Sequence, residues 1–264
     1  NIAHYGTRVL ILTTDGEVYG LGGAPSVYDY DLQNPVGLFG YKWNEDTTLN
    51  VHKIETPEPI VQICATSITS VMLGKSGKCY IAAQKLDESV WKEQKITDYP
   101  TKKLTGYPYL EMVDFDQTIV TVGISSIEML YVVTENGSVY GAGINDRGHI
   151  GTGVPEKVNM QTAVVKEFQK INIPERVIQV GCTGEMFASF LTENGNLYVT
   201  GMMYGNYTLQ DEEIYQNRYE QARAERNWDM LILDAPTKVN LPEPVVRISA
   251  ETSTYFYQKA DGSV

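Results

Sequence analysis

The residues whose side chains could support catalysis or bind a metal ion are few and scattered in this 264-residue sequence. The three histidines are His4, His52 and His149. None of them has a second histidine or a cysteine at the spacing that zinc sites use. Two short acidic pairs, Asp114 with Asp116 and Glu212 with Glu213, are typical of solvated surfaces. We therefore expect no metal ion and no cofactor.

Sequence signatures of phosphate binding and of nucleophilic catalysis are also missing. The chain has no P-loop and no G-x-S-x-G element. Glycine-rich runs occur at 20–23 and 148–153, but a phosphate-binding loop is followed by the N-terminus of a helix. Here the following residues have strand and turn character. The sequence therefore predicts a protein that is not an enzyme.

The cysteines indicate the compartment. Cys64, Cys79 and Cys182 each lie in or beside a predicted strand, where a free cysteine behaves as a small core residue. Their number is odd and no CxxC occurs, which argues against a disulfide framework. This favours a reducing setting, and we expect an intracellular protein of the cytoplasm or the cytoskeleton. Two N-glycosylation triplets, at Asn136 and Asn206, leave a secreted repeat protein open as an alternative.

The charge of the chain limits its partners. The formal net charge is −12 and the pI is about 4.7, and no basic patch is visible. Nucleic-acid binding depends on Lys and Arg that neutralise phosphates, so we expect no nucleic-acid partner. Anionic membrane surfaces are disfavoured for the same reason, and no apolar run approaches the length of about 20 residues that spans a bilayer. We expect protein partners.

The elements that carry these side chains form an internal repeat. One pattern occurs four times: an apolar strand, a tight turn that ends in Gly, and a short strand with Tyr three residues after that Gly. A fifth copy stops one residue before the position of the Tyr. The turn glycines are Gly16, Gly77, Gly137, Gly195 and Gly262. Their separations are 61, 60, 58 and 67 residues. This regular spacing of matching segments predicts a repeat protein.

Each repeat has the features of one antiparallel sheet. Asp-Gly or Asn-Gly, the preferred centre of a type I′ hairpin turn, occurs in four of the turns, and Ser76-Gly77 occurs in the second. Four short strands fit into about 60 residues. The sequence therefore predicts an all-β fold, a β-propeller of four-stranded antiparallel blades, in preference to a sandwich or a β-helix. The predicted repeats are 1–59, 60–117, 118–175, 176–243 and the start of a fifth at 244–264.

Two of the repeats carry a family motif. Residues 15–22 read Asp-Gly-Glu-Val-Tyr-Gly-Leu-Gly, and residues 136–143 read Asn-Gly-Ser-Val-Tyr-Gly-Ala-Gly. The loop at 145–151 reads Asn-Asp-Arg-Gly-His-Ile-Gly, and 34–40 is a looser copy. The chain thus resembles the regulator of chromosome condensation family, with its D-G-x-V-Y-x-x-G hairpin followed by N-x-x-G-Q-L-G. The second repeat lacks the loop motif, and the fourth has an insertion in its place.

The resemblance implies a larger protein. Members of the family usually form a ring of seven blades, whereas this chain holds four repeats and the opening hairpin of a fifth. Both ends supply the same part of the repeat, so they duplicate each other instead of completing one blade. We therefore expect an incomplete propeller with about three repeats outside the sequence. An open ring or a ring with another number of blades is the alternative.

An insertion at 205–234 gives the fourth repeat the longest spacing. Tyr215, Tyr219 and Ala222 fall on one side of a helical pattern within it, which predicts a short helix or an extended protrusion. Because loops carry function on a stable scaffold, the insertion is either a partner-binding element or a tolerated loop. The candidate interaction residues are Tyr215, Tyr219, Arg223, Trp228, Arg147 and His149. His149 occupies the place of the family's Gln.

These observations together predict a non-enzymatic interaction or scaffold module, acting as a domain or subunit of a larger assembly. The resemblance adds an alternative, a guanine-nucleotide exchange factor for a small GTPase, which is the activity of the best-known family member. A chromatin-associated protein is a further alternative, against which the acidic charge counts. Partners in the two leading hypotheses are proteins, either a small GTPase or a large multi-subunit complex.

Overall fold

A computed structural model describes residues 1–5, 8–22, 50–66, 69–83, 100–107, 110–155, 163–182, 187–202, 212–251 and 254–264. The chain divides into two compact units, Asn1–Ile124 and Ser125–Val264. Antiparallel strands build both units, and the second also contains helix α1 (Glu212–Glu225) and a 3₁₀ turn (Trp228–Leu231). Within the described ranges no helix has the length and apolar character needed to cross a bilayer.

The first unit contains two complete sheets. One has four strands in chain order: β1 (Ile2–Tyr5), β2 (Arg8–Leu12), β3 (Val18–Leu21) and β4 (His52–Ile54). The other is built from β5 (Ile60–Ala65), β6 (Thr69–Gly74), β7 (Cys79–Ala83), β8 (Thr101–Lys103) and β9 (Glu111–Val113). Its order is β5-β6-β7-β9-β8, so the second repeat has one strand more than predicted. Strand β10 (Ile119–Ile124) ends this unit.

The extra strand β8 is added through a hairpin. It pairs with β9 in antiparallel register, with Thr101 opposite Val113. In the connection, Leu104 and Tyr107 pack against the buried core of the unit. Burial of these two side chains stabilises the hairpin at the outer side of the sheet.

The second unit continues the same pattern. Strands β11 (Met129–Thr134), β12 (Val139–Ile144) and β13 (Val164–Ile171) pair in chain order. The next four-stranded sheet contains β14 (Val177–Cys182), β15 (Phe187–Thr192), β16 (Leu197–Gly201) and β17 (Thr237–Lys238). Strands β18 (Val245–Glu251) and β19 (Thr254–Lys259) form a two-stranded sheet.

The second strand forms the centre of the core in the second, third and fourth repeats. Every residue of β6, β11 and β15 is buried, which explains why these strands read as continuous apolar runs without alternation. In the second unit, Tyr131 of β11 meets Phe190 of β15 edge to face, with ring centroids 5.5 Å apart. Both rings are fully buried, so adjacent repeats share one packed layer.

The turn glycines connect each repeat to the next through a contact that we call the corner contact. The carbonyl oxygen of the turn glycine accepts a hydrogen bond from the first amide of the following repeat's first strand. The four bonds are Ile60 N to Gly16 O (2.9 Å), Ile119 N to Gly77 O (3.0 Å), Val177 N to Gly137 O (3.1 Å) and Val245 N to Gly195 O (2.9 Å). Gly195 shows why glycine is required: its φ is +77°, and a Cβ there would lie 2.6 Å from the Cβ of Pro244.

A glutamate at the start of the repeat supports the same hairpin. The Glu175 carboxylate accepts hydrogen bonds from Thr192 Oγ1 (2.9 Å), Asn194 Nδ2 (3.0 Å), Asn196 Nδ2 (2.8 Å) and Tyr198 OH (2.9 Å). Burial acts to raise the pKa of Glu175, but these hydrogen bonds outweigh it and hold the pKa at about 2. In the fourth repeat, the hydroxyl of the tyrosine that follows the turn glycine by three residues, Tyr198, is thus bound by a carboxylate.

The second repeat uses the same arrangement. Glu58 accepts hydrogen bonds from the backbone N–H of Ser76 (2.7 Å), from Ser76 Oγ (2.5 Å) and from Tyr80 OH (2.6 Å). Here burial again acts to raise the pKa of the carboxyl, and the bonds from Ser76 and Tyr80 lower it on balance. The carboxylate and the tyrosine therefore form a repeated pair in two of the sheets.

Replacing Glu175 with Gln should lower the free energy of unfolding by about 1 kcal/mol, since a partly exposed charged acceptor is lost. The same variant should lose part of the acid dependence of stability. A carboxyl whose pKa is lowered by folding stabilises the native state above its ordinary pKa of 4.5 and loses that contribution as the pH falls toward about 2. Denaturant titrations at pH 7 and pH 3 measure both effects. Glu193→Gln, in an exposed ion pair with Arg176 at 3.7 Å, is the control and should change little.

Two glutamines connect neighbouring first strands, and the sequence analysis missed them. Gln62 of β5 donates from Nε2 to Val122 O (2.8 Å) and accepts at Oε1 from Val122 N (3.0 Å). Gln179 of β14 makes the same pair of bonds with Ile248 of β18, at 2.7 and 3.1 Å. The signal was visible, because both glutamines occupy the third position of an otherwise apolar first strand.

Candidate interaction surface

The insertion of the fourth repeat is packed on the sheet. Within its described part, 212–234, Ala222 of α1 is fully buried, and so is Ile232 after the 3₁₀ turn. They share a core cluster with Phe187 and Val199 of the adjacent strands. Of the two predicted forms, a short helix or an extended protrusion, the helix is present, and Ala222 of its predicted apolar side lies in the core. Tyr219 packs partly buried against the same cluster.

Backbone contacts fix the position of the insertion. Leu233 N donates to Gly201 O at 3.0 Å, and Ile232 forms an antiparallel bridge with Met202, so the chain after the 3₁₀ turn extends the pairing of β16. Arg218 Nη2 of α1 donates to Ile232 O at 3.2 Å. The segment after the 3₁₀ turn is therefore paired with the sheet, and helix α1 is hydrogen-bonded to that segment through Arg218.

The family loop of the third repeat lies under the end of the insertion. Gly148 and Gly151 both have positive φ, at +71° and +72°. A Cβ on Gly148 would collide with Ile232, and a Cβ on Gly151 would lie 2.8 Å from Cδ of Pro236. The glycines of the loop motif are thus required by close approach of the fourth repeat, in addition to their backbone conformation.

An aromatic pair forms the outer part of the insertion. The rings of Tyr219 and Trp228 have centroids 6.0 Å apart and planes inclined by 47°. Trp228 is 37% exposed, while Tyr219 is half-buried beneath the outer surface. Arg223 is exposed on the last turn of α1. A supported tryptophan and an exposed arginine on one insertion are residue types enriched at protein-binding hot spots.

The remaining candidate residues are placed differently. Tyr215 belongs to α1, and its side chain lies outside the described part of the chain. Arg147 is half-buried and pairs with Asp146 at 3.3 Å between Nη1 and Oδ2. His149 is fully buried, so its imidazole is not presented to a partner. His149, predicted as a candidate interaction residue, is therefore an interior residue of a loop that the fourth repeat contacts.

Burial also decides the chemistry of the titratable groups. It lowers the pKa of His149 to about 3, with a smaller effect of the nearby Arg147 charge, so the imidazole is neutral at physiological pH. Burial raises the pKa of Cys64 to about 12, and that of Cys79 is raised as well, which keeps both thiols protonated and unreactive. In the described ranges, His, Cys, Asp and Glu residues form no cluster of three or more that could hold a metal ion.

These elements define a class of protein. Antiparallel sheets of four or five strands recur along the chain, and turn glycines connect each repeat to the next. The second strands of three repeats are buried along their whole length. The protein is an all-β, incomplete β-propeller that holds four repeats and the opening strands of a fifth. This confirms the predicted fold class.

Comparison with solved structures identifies the type of propeller. Yeast RCC1 (Prp20), solved bound to Kap60, superposes with a TM-score of 0.67 at 14% identity over 99% of this chain and 54% of that chain. Prp20p from Saccharomyces cerevisiae, described with its binding properties to Gsp1p and histones, gives a TM-score of 0.56 at 15% identity, covering 98% of this chain and 69% of that chain. Human WBSCR16 gives 0.53 at 14% identity, covering 96% and 69%. The fold is that of an RCC1-type propeller, which confirms the resemblance seen in the motifs.

The extent of these likenesses is limited in two respects. The chain spans about half the length of the yeast RCC1 chain in the Kap60 complex. No family model matches the sequence, and no curated protein matches it. Identities of 14–15% establish a common fold and leave the function of this chain to be argued from its own residues.

Proposed function

We propose that the chain is a non-enzymatic protein-interaction module, a domain or subunit of a larger assembly, whose contact surface is the outer side of the insertion 212–234. The observation that carries this proposal is the aromatic pair on a firmly anchored helix. Tyr219 and Ala222 hold α1 on the core, and Trp228 extends outward beside it. A rigid element loses little conformational entropy on binding, so its exposed side chains can contribute fully to affinity.

The chemistry of the described residues supports a binding role over a catalytic one. Cys64 and Cys79 are free thiols with raised pKa, and His149 is neutral and buried. Free thiols are also consistent with a reducing compartment, so we propose an intracellular location, in the cytoplasm or on the cytoskeleton. Partners are then intracellular proteins.

Replacing Trp228 with Ala should weaken binding of the partner by at least about 30-fold, corresponding to a hot-spot loss of about 2 kcal/mol. The partner is first captured in cells that express the whole protein, with a photoreactive amino acid at position 228, and its affinity is then measured by titration. Arg223→Glu should also weaken binding, since it reverses an exposed charge at the same surface.

Two matched controls keep this experiment specific. Val51→Ala removes an exposed apolar side chain in the first unit, and Lys103→Glu reverses an exposed charge on β8. Both should leave the affinity unchanged. If all four variants bind equally well, the insertion is a tolerated loop and the contact surface lies elsewhere.

A second candidate is a guanine-nucleotide exchange factor for a small GTPase. The resemblance of the repeat motifs to the regulator of chromosome condensation family favours it, and the fold likeness extends to Prp20p, described with its binding to Gsp1p. A nucleotide-release assay with the whole protein and a panel of small GTPases tests it. If the unchanged protein and Trp228→Ala accelerate nucleotide release equally, the protein has this activity, and its exchange surface is not the insertion.

A further inference from the structure

Loop 145–151 contains a buried imidazole without a hydrogen-bond partner. His149 is 0% exposed, and neither Nδ1 nor Nε2 has a partner within the described part of the chain. Buried polar atoms are nearly always hydrogen-bonded, so such a group requires an explanation. A neutral imidazole tolerates this site, whereas an imidazolium would be a buried charge without an acceptor.

The loop lies against the chain segment that follows helix α1, so opening of the loop would change the contacts of the insertion. Gly148, next to His149, is in direct contact with Ile232, and Gly151 contacts Pro236. Thr200 Oγ1 of β16 donates to the His149 carbonyl at 2.6 Å. The loop that carries His149 therefore contacts both β16 and the segment that follows α1.

We propose that loop 145–151 is an acid-sensitive latch, in which protonation of His149 opens the loop and releases the insertion 212–234 from the sheet. The word latch here means the contacts of Gly148 with Ile232 and of Gly151 with Pro236. Protonation is favoured only when the loop opens, because the imidazolium then reaches water. The consequence for partner binding rests on the proposed function, but the opening itself does not.

The charges around the loop disfavour protonation of His149 while the loop is closed. Arg147 acts on the imidazole and disfavours its protonation in the closed state. Thr200 and Ile232, which approach from β16 and the insertion, are uncharged. Charged groups close to the loop include Asp146, which pairs with Arg147, and Asp234, which lies beside Gly153. Arg218 of α1 donates to the Ile232 carbonyl, and Glu128 lies before β11, where its own carbonyl accepts from Ile144 N.

Hydrogen exchange read by mass spectrometry tests the latch without any partner. With a pKa of about 3 in the closed state and the ordinary 6.5 in the open state, the opening constant should rise about 25-fold between pH 7 and pH 5. After correction for intrinsic rates, peptides from 145–153 and 212–234 should lose that factor of protection. Peptides from β2 and β6 in the first unit should not change.

Substitution of the histidine separates the latch from general acid effects. In His149→Gln, which places the family's residue in the loop, protection of 212–234 should be the same at both pH values. His52→Gln, which replaces a half-buried histidine of the first unit, should behave as the unchanged protein. Equal loss of protection in His149→Gln and the unchanged protein overturns the proposal, and so does constant protection in the unchanged protein.

The unchanged protein decides the matter even if His149→Gln does not fold. A loss of protection confined to 145–153 and 212–234, beginning below pH 6.5, supports the latch. A uniform loss across both units contradicts it. If the latch opens as expected while Trp228→Ala binds the partner normally, the proposed contact surface is wrong and the latch stands.

Discussion

Replacing Phe190 with Ala lowers the free energy of unfolding of the second unit by about 3–5 kcal/mol. The ring is fully buried, and it contacts the edge of Tyr131 from the neighbouring repeat. Alanine removes the buried apolar area and the edge-to-face contact, and it leaves a cavity in a layer that two sheets share. Chemical denaturation monitored by far-UV circular dichroism measures the loss.

Phe190→Leu is the matched control for this variant. It keeps an apolar side chain in the layer, so we expect it to cost less than half as much as the alanine variant. A loss below about 1 kcal/mol in Phe190→Ala would show that the layer collapses around the cavity, and that the two repeats do not depend on this contact.

Replacing Gly195 with Ala should cost about 2–5 kcal/mol. Part of that cost is backbone strain of about 1–2 kcal/mol, because φ is +77°. The rest arises because the new Cβ would lie 2.6 Å from Pro244 and 3.1 Å from the backbone of Val245, at the corner contact itself. Denaturant titration measures the total.

Gly106→Ala separates the two contributions. Gly106 has a φ of +85°, yet a Cβ there would meet no atom of the described residues within 4 Å, so only strain is expected. The difference between the two variants measures the corner contact. If Gly195→Ala and Gly106→Ala cost the same, the close approach at the corner relaxes freely and contributes nothing to stability.

The repeat could be predicted from the sequence because its physics is local. Asn136-Gly137 specifies a tight turn with a positive φ of +78° at the glycine, and the spacing of this turn from its neighbouring copies defines the repeat. The predicted type I′ geometry was wrong, because Asn136 does not adopt a positive φ. The outer strand of the third repeat, Val164–Ile171, could not be delimited in this way. One of its faces is exposed and polar residues dominate it, so it lacks an apolar pattern that would mark its ends.

Features that depend on contacts between distant residues could not be predicted in the same way. Strand β8 is polar and only three residues long, and pairing with β9 makes it a strand. His149 is buried in a loop that is approached at Gly148 by Ile232 and at Gly151 by Pro236, both more than 80 residues later in the chain. Sequence reasoning located the insertion and its helical side, but it could not tell which of its neighbours would be interior.

The corner contact has a consequence for how such a chain can change over evolutionary time. Its donor and its acceptor are both main-chain atoms, one from a turn glycine such as Gly16 and one from the next first strand at Ile60. A duplicated repeat therefore meets its copy through atoms that substitution cannot alter. Side chains elsewhere are free to drift, and segments between the outer strands can lengthen, as the helix in the fourth repeat shows. The fold can then persist at 14% identity, and the turn glycines are the feature of the sequence by which the repeat is still recognised.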